Sequence, residues 1–152
     1  MNKFLKIAIE EAKKGMGKKH GGPFGAVIVC KGKIIAKAHN TVLKNNDPTA
    51  HAEINVIRQA SKKTKKFDLS GCELYSTCEP CPMCFAAIHW ARINKIYYGA
   101  DSKDAAKIGF DDKILYEILN GKKADLVKKQ KMSDSECISL MEKYAKTAHT
   151  KY

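Results

Sequence analysis

The chain has 152 residues, of which 28 are basic and 16 acidic, giving a formal net charge of +12. This length favours one domain that buries its core without a framework of cross-links, and no apolar run is long enough to span a membrane. The N-terminal stretch is interrupted by Lys6, Glu10 and Glu11, so it lacks the apolar run of a secretory signal. We therefore expect a single cytoplasmic domain over residues 1–152, with its thiols reduced.

The positive charge raises the question of a nucleic acid partner. Arg58 and Arg92 are the only arginines, and all other basic residues are lysines scattered along the chain. Readout of phosphates and bases favours the arginine fork. The composition therefore predicts a solvated lysine surface and disfavours nucleic acid as the main partner.

The first half of the chain predicts two helices around a hairpin. Apolar residues recur at helical spacing from Phe4 to Ala12, which indicates a first helix ending near Gly15. Two apolar runs, 26–30 and 34–38, are separated by a lysine and a glycine and predict a hairpin whose first strand is buried on both faces. The segment NNDP then predicts a turn before a buried helix that begins near position 52.

The second half predicts a strand at 72–77, a helix at 82–92 and a strand at 95–100. Two strands joined by a helix lie parallel, so the sheet is mixed and the fold class is α/β. Beyond residue 100 we expect a helix at 113–119, an edge strand near 124–128 and a final helix from about 135 to 146.

The stretch STCEPCPMC predicts a metal clamp at a helix N-terminus. Pro82 suits the first helical position, which places Cys81 at the cap and Cys84 in the first turn. The unpaired N–H groups there favour thiolates. His51, at the start of the other buried helix, is the predicted third ligand, and three protein ligands leave the open position that catalytic zinc requires.

Glu53 is the predicted catalytic base, because it lies two residues after His51 at the same helix entrance. It would take a proton from the attacking water, deliver it to the ring nitrogen of a nucleobase and assist the departure of ammonia. The pattern H-x-E followed by P-C-x-x-C is the signature of zinc-dependent nucleobase deaminases.

Other interpretations of the cysteines are weaker. A ferredoxin-type cluster would need a cysteine at Ile88, and a redox pair would leave the histidine and the glutamate without a role. A four-ligand structural zinc site would recruit Cys78, which is more simply a packing residue. The remaining cysteines, Cys30, Cys72 and Cys137, are expected to be isolated thiols.

Several segments resemble the cytidine deaminase superfamily and, within it, the bacterial guanine deaminases. They are GGPFGAVIV, NDPTAHAE, CEPCPMC, AIHWAR, GFDD and the terminal tyrosine. The resemblance implies a three-layer α/β/α sandwich with a mixed five-stranded sheet. It also implies one zinc ion per chain and the hydrolysis of guanine to xanthine and ammonia.

The resemblance also implies roles for residues outside the metal site. Phe24 would stack on the purine, Asn40 would pair with donors and acceptors on its edge, and Trp90 would line the pocket. Asp112 would contact the departing amino group and relay a proton, and Tyr152 would close the site. Each has an ordinary alternative: Phe24 as core packing, Asn40 as a turn residue, Trp90 as packing, Asp112 as a helix cap and Tyr152 as a frayed end.

The C-terminal tail, about 132–152, is therefore expected to pack over the active site, either its own or that of a partner in a swapped homodimer. The main alternative function is a tRNA adenosine deaminase, which shares both metal motifs. A cytosine or cytidine deaminase and a noncatalytic zinc module remain as further alternatives. Glu53 separates the enzymes from the module, because only an enzyme needs the base.

Overall fold

The structure, a computed structural model, describes residues 2–132, 135–147 and 150. Its centre is a mixed sheet of four strands in the order β2-β1-β3-β4. The central strand β1 pairs antiparallel with both neighbours. The antiparallel hairpin of β1 and β2 and the parallel pairing of β3 with β4 were predicted from the sequence. The strands are β1 (Gly25–Cys30), β2 (Lys33–His39), β3 (Cys72–Cys78) and β4 (Lys95–Ala100).

Helices cover both faces of the sheet, so the predicted three-layer α/β/α sandwich is confirmed. The first helix packs on one face, and the third and fourth pack on the other. None of the described helices combines the length and apolarity needed to cross a bilayer. The helices are α1 (Lys3–Gly17), α2 (Val42–Asn45), α3 (Ala52–Thr64), α4 (Pro82–Trp90), α5 (Ser102–Lys107), α6 (Lys113–Leu119) and α7 (Ser135–Ala145).

The alternation of side chains along β1 explains why this strand is apolar throughout. Val27 and Val29 pack with Ala8 of α1, whereas Ala26 and Ile28 pack on the side of α3 and α4. These four side chains are at most 1% exposed. The predicted strand buried on both faces is confirmed.

The turn between β1 and β2 uses two residues in the left-handed region. Lys31 has φ of 50° and Gly32 has φ of 74°. Tight hairpins favour turns with positive φ at both central positions, because their twist matches that of the strands. The lysine and glycine pair was therefore a correct hairpin signal.

The prediction of a fifth strand near 124–128 is wrong for the described residues, whose sheet has four strands. That segment contains no strand, and its neighbouring apolar residues Leu126 and Val127 are 70% and 69% exposed. In a strand, Leu126 and Val127 would point to opposite faces, so neither face would hold more than one of them. The many lysines around them keep the segment in water.

A disulfide joins Cys30 to Cys72, which corrects the expectation that both are isolated thiols. The two residues are partners in the β1–β3 register, with Cα atoms 4.2 Å apart. The bridge therefore fastens the end of the central strand to the start of its neighbour. The sequence did not reveal it, because the pairing register depends on long-range packing.

Candidate active site

The N-termini of α3 and α4 meet on the face of the sheet that these two helices cover. His51 is the N-cap residue of α3 and Cys81 is the N-cap residue of α4, with Pro82 in the first turn. Neither side chain makes a hydrogen bond that caps its helix, so both remain available as ligands. Cys84 lies one turn into α4 and is fully buried. The predicted arrangement of the helix entrances is confirmed.

The three predicted ligands form the one His/Cys/Asp/Glu cluster of metal-binding geometry within the described part of the chain. His51 Nδ1 lies 3.5 Å from Cys81 Sγ and 3.5 Å from Cys84 Sγ. Tetrahedral zinc with ordinary Zn–N and Zn–S bonds would place such atoms about 3.6 Å apart. The donor set and its spacing therefore fit zinc.

The pKa values of the Cys81 and Cys84 thiols are shifted in opposite directions. The hydrogen bond from Cys84, together with His51, lowers the pKa of Cys81 to about 4 against the opposing effect of burial. The same hydrogen bond, burial and the neighbouring Glu53 raise the pKa of Cys84. Cys81 is thus already a thiolate, the form that binds a metal, while Cys84 needs the ion to displace its proton.

Glu53 is buried directly behind this cluster, with only 5% of its surface exposed. Its Oε1 accepts a hydrogen bond of 2.9 Å from Ser76 Oγ, and its Oε2 lies 3.6 Å from Cys84 Sγ. Burial is the largest influence on its pKa, which is raised. A carboxylate with a raised pKa can both accept and return a proton, as the predicted role requires.

Cys78 is not part of the metal cluster. Its thiol donates to the carbonyl of Asp101 at 3.6 Å, and its N–H donates to Ser76 Oγ at 3.4 Å. Burial and the charge of Glu53 raise the pKa of Cys78 to about 11, so it remains a thiol. Its packing role, predicted from the sequence, agrees with these contacts.

A cavity of about 450 Å³ opens beside the cluster. Phe24 and Phe110 form one wall, with ring centroids 5.0 Å apart in an edge-to-face arrangement. The ring of Phe24 lies so close to Gly22 that a Cβ there would approach it to 2.7 Å. The lining includes five of the predicted site groups besides Phe24, namely Asn40, His51, Glu53, Cys81 and Asp112.

Asn40 is held in one orientation by its neighbours. Its backbone N–H donates to the carbonyl of Phe24 at 3.0 Å, and its Oδ1 accepts from the N–H of Val42 at 3.1 Å. Because a backbone N–H can only donate, the oxygen of the amide must face Val42. The Nδ2 group of this buried residue is left as a donor at the cavity wall.

Asp111 and Asp112 divide the two roles that the sequence left open. Asp111 Oδ1 accepts from the N–H of Lys113 at 2.9 Å, whereas Asp112, the N-cap residue of α6, makes no side-chain cap bond. Both aspartates line the cavity, and burial followed by the charge of Cys81 raises the pKa of Asp112, whose carboxyl group makes no cap bond. Its carboxyl group is therefore available to a ligand.

One predicted substrate residue, Trp90, is not brought to the cavity. Trp90 lies outside the lining and is 69% exposed. Cys84 and Ile88 are one helical turn apart and form the buried face of α4, and Trp90, two residues further, lies on another face. Tyr152 lies outside the described residues.

Two groups of the site were missed in the sequence. Ser76 is fully buried and bonds to Glu53, and Phe110 completes the aromatic wall. Ser76 carried no clear signal, because its strand also contains the polar residues Glu73 and Thr77. Phe110 lies within the segment GFDD that carries the resemblance, but its place in the aromatic wall depends on the path of the loop before α6.

Residues 1–100 match the cytidine and deoxycytidylate deaminase zinc-binding region. This match covers the hairpin, the ligands and Glu53. The chain belongs to this deaminase family. Zinc is accordingly the metal that the His/Cys/Cys cluster of this deaminase is built to hold.

Relatives of this deaminase include enzymes acting on two kinds of substrate. The guanine deaminase of Bacillus subtilis is 52% identical over 114 residues, which are 75% of this chain and 73% of the relative. The solved Bacillus subtilis guanine deaminase structure has a TM-score of 0.92 at 42% identity, covering 100% of this chain and 99% of that one. The tRNA-specific adenosine deaminase of Aquifex aeolicus is 48% identical over 100 residues, 66% of each chain.

Proposed function

We propose that this deaminase hydrolyses guanine to xanthine and ammonia, with one zinc ion per chain. The proposal rests mainly on the likeness to the solved Bacillus subtilis guanine deaminase structure, which covers 100% of this chain at a TM-score of 0.92. The solved tRNA A34 deaminase structure matches 64% of the chain with a TM-score of 0.62. The region after residue 100 supplies Phe110 and Asp112 to the cavity, so it bears directly on the substrate.

The residues around the metal support this chemistry. A zinc ion held by His51, Cys81 and Cys84 would supply a Lewis acid that makes water a stronger nucleophile. Glu53 accepts a proton from the water that attacks C2 of guanine and passes it to the adjacent ring nitrogen. The second proton of the water goes to the amino group, the C–N bond breaks and ammonia leaves.

The cavity walls orient the purine for this attack. Phe24 and Phe110 present aromatic surface against which a flat base packs. The Nδ2 group of Asn40 donates to an acceptor on the edge of the base, and its fixed orientation favours one edge over another. Asp112 contacts the amino group that leaves and carries its proton, which suits a carboxyl group with a raised pKa.

A substrate panel tests the proposal. The purified, zinc-loaded protein is incubated with guanine, adenine, cytosine, the corresponding nucleosides and tRNA, and ammonia is followed. We expect release from guanine together with the formation of xanthine. Release from tRNA alone would overturn the proposal.

A tRNA adenosine deaminase is the second candidate, because relatives of that kind match 66% of the chain at 48% identity and the net charge is +12. RNA would be attracted by the lysine-rich surface. In the substrate panel, inosine formation in tRNA with no xanthine from guanine would favour this candidate.

We also propose that the tail, about 132–152, completes the site of a partner in a swapped homodimer. Its helix α7 is exposed along its whole length, including the apolar residues Ile138, Leu140 and Met141. An amphipathic helix with an exposed apolar face needs a partner surface. A second copy of the chain would cover this face and Trp90, and would bring Tyr152 to the cavity.

Deletion of Tyr152 tests the proposed role of the tail. Turnover of guanine should fall while zinc content and dimer mass stay unchanged. Removal of Lys151 and Tyr152 together should give the same result. Undiminished turnover after the deletion would exclude a role for the terminal tyrosine.

A further inference from the structure

A hydrogen-bonded chain of three titratable residues lies behind one wall of the cavity and takes no part in the proposed chemistry. Glu11 of α1 is buried, with its Oε2 3.3 Å from His39 Nδ1. His39 Nε2 lies 3.0 Å from His20 Nδ1. The side chain of His39 is 13% exposed, so this chain of contacts runs largely out of water.

Contacts of both its ring and its backbone hold His39 in place. Its ring lies against Gly15, where a Cβ would approach the ring to 2.6 Å. Its carbonyl accepts from Asn55 Nδ2 at 3.0 Å, and it is the residue immediately before Asn40. These contacts anchor the residue that directly precedes Asn40.

His20 is fastened to the other part of the same wall. Its carbonyl accepts from the N–H groups of Leu43 and Lys44, both at 3.1 Å, which holds α2 in place. The next residue, Gly21, lies so close to Asn40 that a Cβ would be 2.0 Å from Oδ1. The ring–ring hydrogen bond thus sets the distance between the glycine loop and Asn40.

We propose that Glu11, His39 and His20 are positioning residues that hold Asn40, Gly21 and α2 in the geometry that binds the purine. The inference rests on the proposed function, because it concerns the affinity for guanine. It assigns these residues no contact with the substrate and no part in the chemical step.

The number of protons held by Glu11, His39 and His20 makes purine binding sensitive to pH. A carboxylate only accepts, so His39 Nδ1 carries a proton, and one further proton lies between the two rings. One added proton can be accommodated, because His39 then donates to a neutral His20. A second added proton would make two N–H groups face each other and would break the bond.

Nearby charges oppose the second proton. His20 is faced by Lys18, Lys44 and His39, and desolvation followed by these charges lowers the pKa of His20. Glu11 is faced by Lys14 and Lys37 at 3.8 Å and 3.3 Å. The intact bond is therefore the state at neutral pH, and acid opens it.

Two variants and one control test the inference through KM and kcat for guanine. H20L removes the ring–ring bond and should raise KM about three- to tenfold at neutral pH, the expected effect of one lost hydrogen bond, with kcat and zinc content unchanged. H39Q keeps a donor and an acceptor but cannot titrate, so its KM should stay near that of the parent at neutral pH. The control H89Q changes an exposed histidine elsewhere and should behave as the parent.

The pH profile separates positioning from a general structural effect. Between about pH 5.5 and 8, KM of the parent should rise towards acid, whereas KM of H39Q should change less. NMR of the histidine rings in the parent protein should show the His20–His39 hydrogen bond at neutral pH. This measurement does not depend on whether a variant folds. Absence of that bond, or an unchanged KM in H20L with an active parent, would overturn the inference. A parent without turnover of guanine would overturn the proposed function as well.

Discussion

Residues 2–100 and residues 101–147 contribute to one cavity but are held in opposite ways. Every buried residue of the described chain precedes position 94, and the part described after residue 100 contains none. Yet that second region supplies Phe110 and Asp112. Residues 2–100 therefore fix the proposed metal ligands and base by packing, whereas the exposed residues after 100 add further groups to the wall of the cavity.

Glu53→Gln should give the largest effect, because it removes the proposed base from residues 2–100. We expect kcat to fall about 10²- to 10⁴-fold, the usual contribution of general acid–base catalysis. Zinc content should not change, since Glu53 is not a ligand. Glu10→Gln, an exposed carboxylate of α1, is the control. Activity near that of the parent would remove Glu53 from the mechanism.

Removal of the disulfide should show that residues 2–100 also determine the stability of the fold. The bridge closes 42 residues, so its loss in a Cys30→Ser variant should lower the free energy of unfolding by up to about 4 kcal/mol. Urea denaturation measures this, and kcat at a temperature where the variant is folded should be unchanged. Cys137→Ser replaces an exposed thiol and serves as the control. An equal effect of both substitutions would contradict the account.

Asp112→Asn tests the residues after 100, and its neighbour provides a matched comparison. We expect kcat to fall about 10- to 100-fold, because a proton carrier is lost while the fold is kept. Asp111→Ala should instead cost roughly 1 kcal/mol of stability through the lost bond to Lys113, with little change in kcat. If Asp111→Ala impaired turnover more than Asp112→Asn, the two roles would have to be exchanged.

The smallest expected effect is on the stability of the fold at acidic pH. Burial alone would raise the pKa of Glu11, but hydrogen bonds from His39 and Lys37 and the charge of Lys14 lower it below 4.5. The unfolded chain then binds more protons, so this stabilisation is present above about pH 4.5 and is lost as the pH falls through the folded pKa. Glu11→Gln should flatten the acid slope of the urea midpoint. A slope unchanged from that of Glu10→Gln would contradict this.

The sequence predicted the metal site well because its signals are local. Pro82 marks a helix start, and the spacing of Cys81 and Cys84 places one thiol at the N-cap and the other in the first turn whatever surrounds them. The hairpin was equally local, since Lys31 and Gly32 alone define the turn.

Features that depend on distant partners were not predicted. The bridge between Cys30 and Cys72 follows from the strand register, and the contact of Ser76 with Glu53 follows from packing across two layers. The expected fifth strand failed because a few apolar residues do not form a strand without a partner. Trp90 was placed by resemblance, and only the direction of α4 showed its exposure.

The central claim is a zinc site with three protein ligands and one open position. X-ray absorption at the zinc edge of the purified protein tests it directly. We expect two sulfur neighbours at about 2.3 Å and two nitrogen or oxygen neighbours at about 2.0–2.1 Å, with one sulfur lost in Cys81→Ser. A third sulfur neighbour, which Cys78 would have to supply, or a spectrum unaffected by Cys81→Ser would contradict the account.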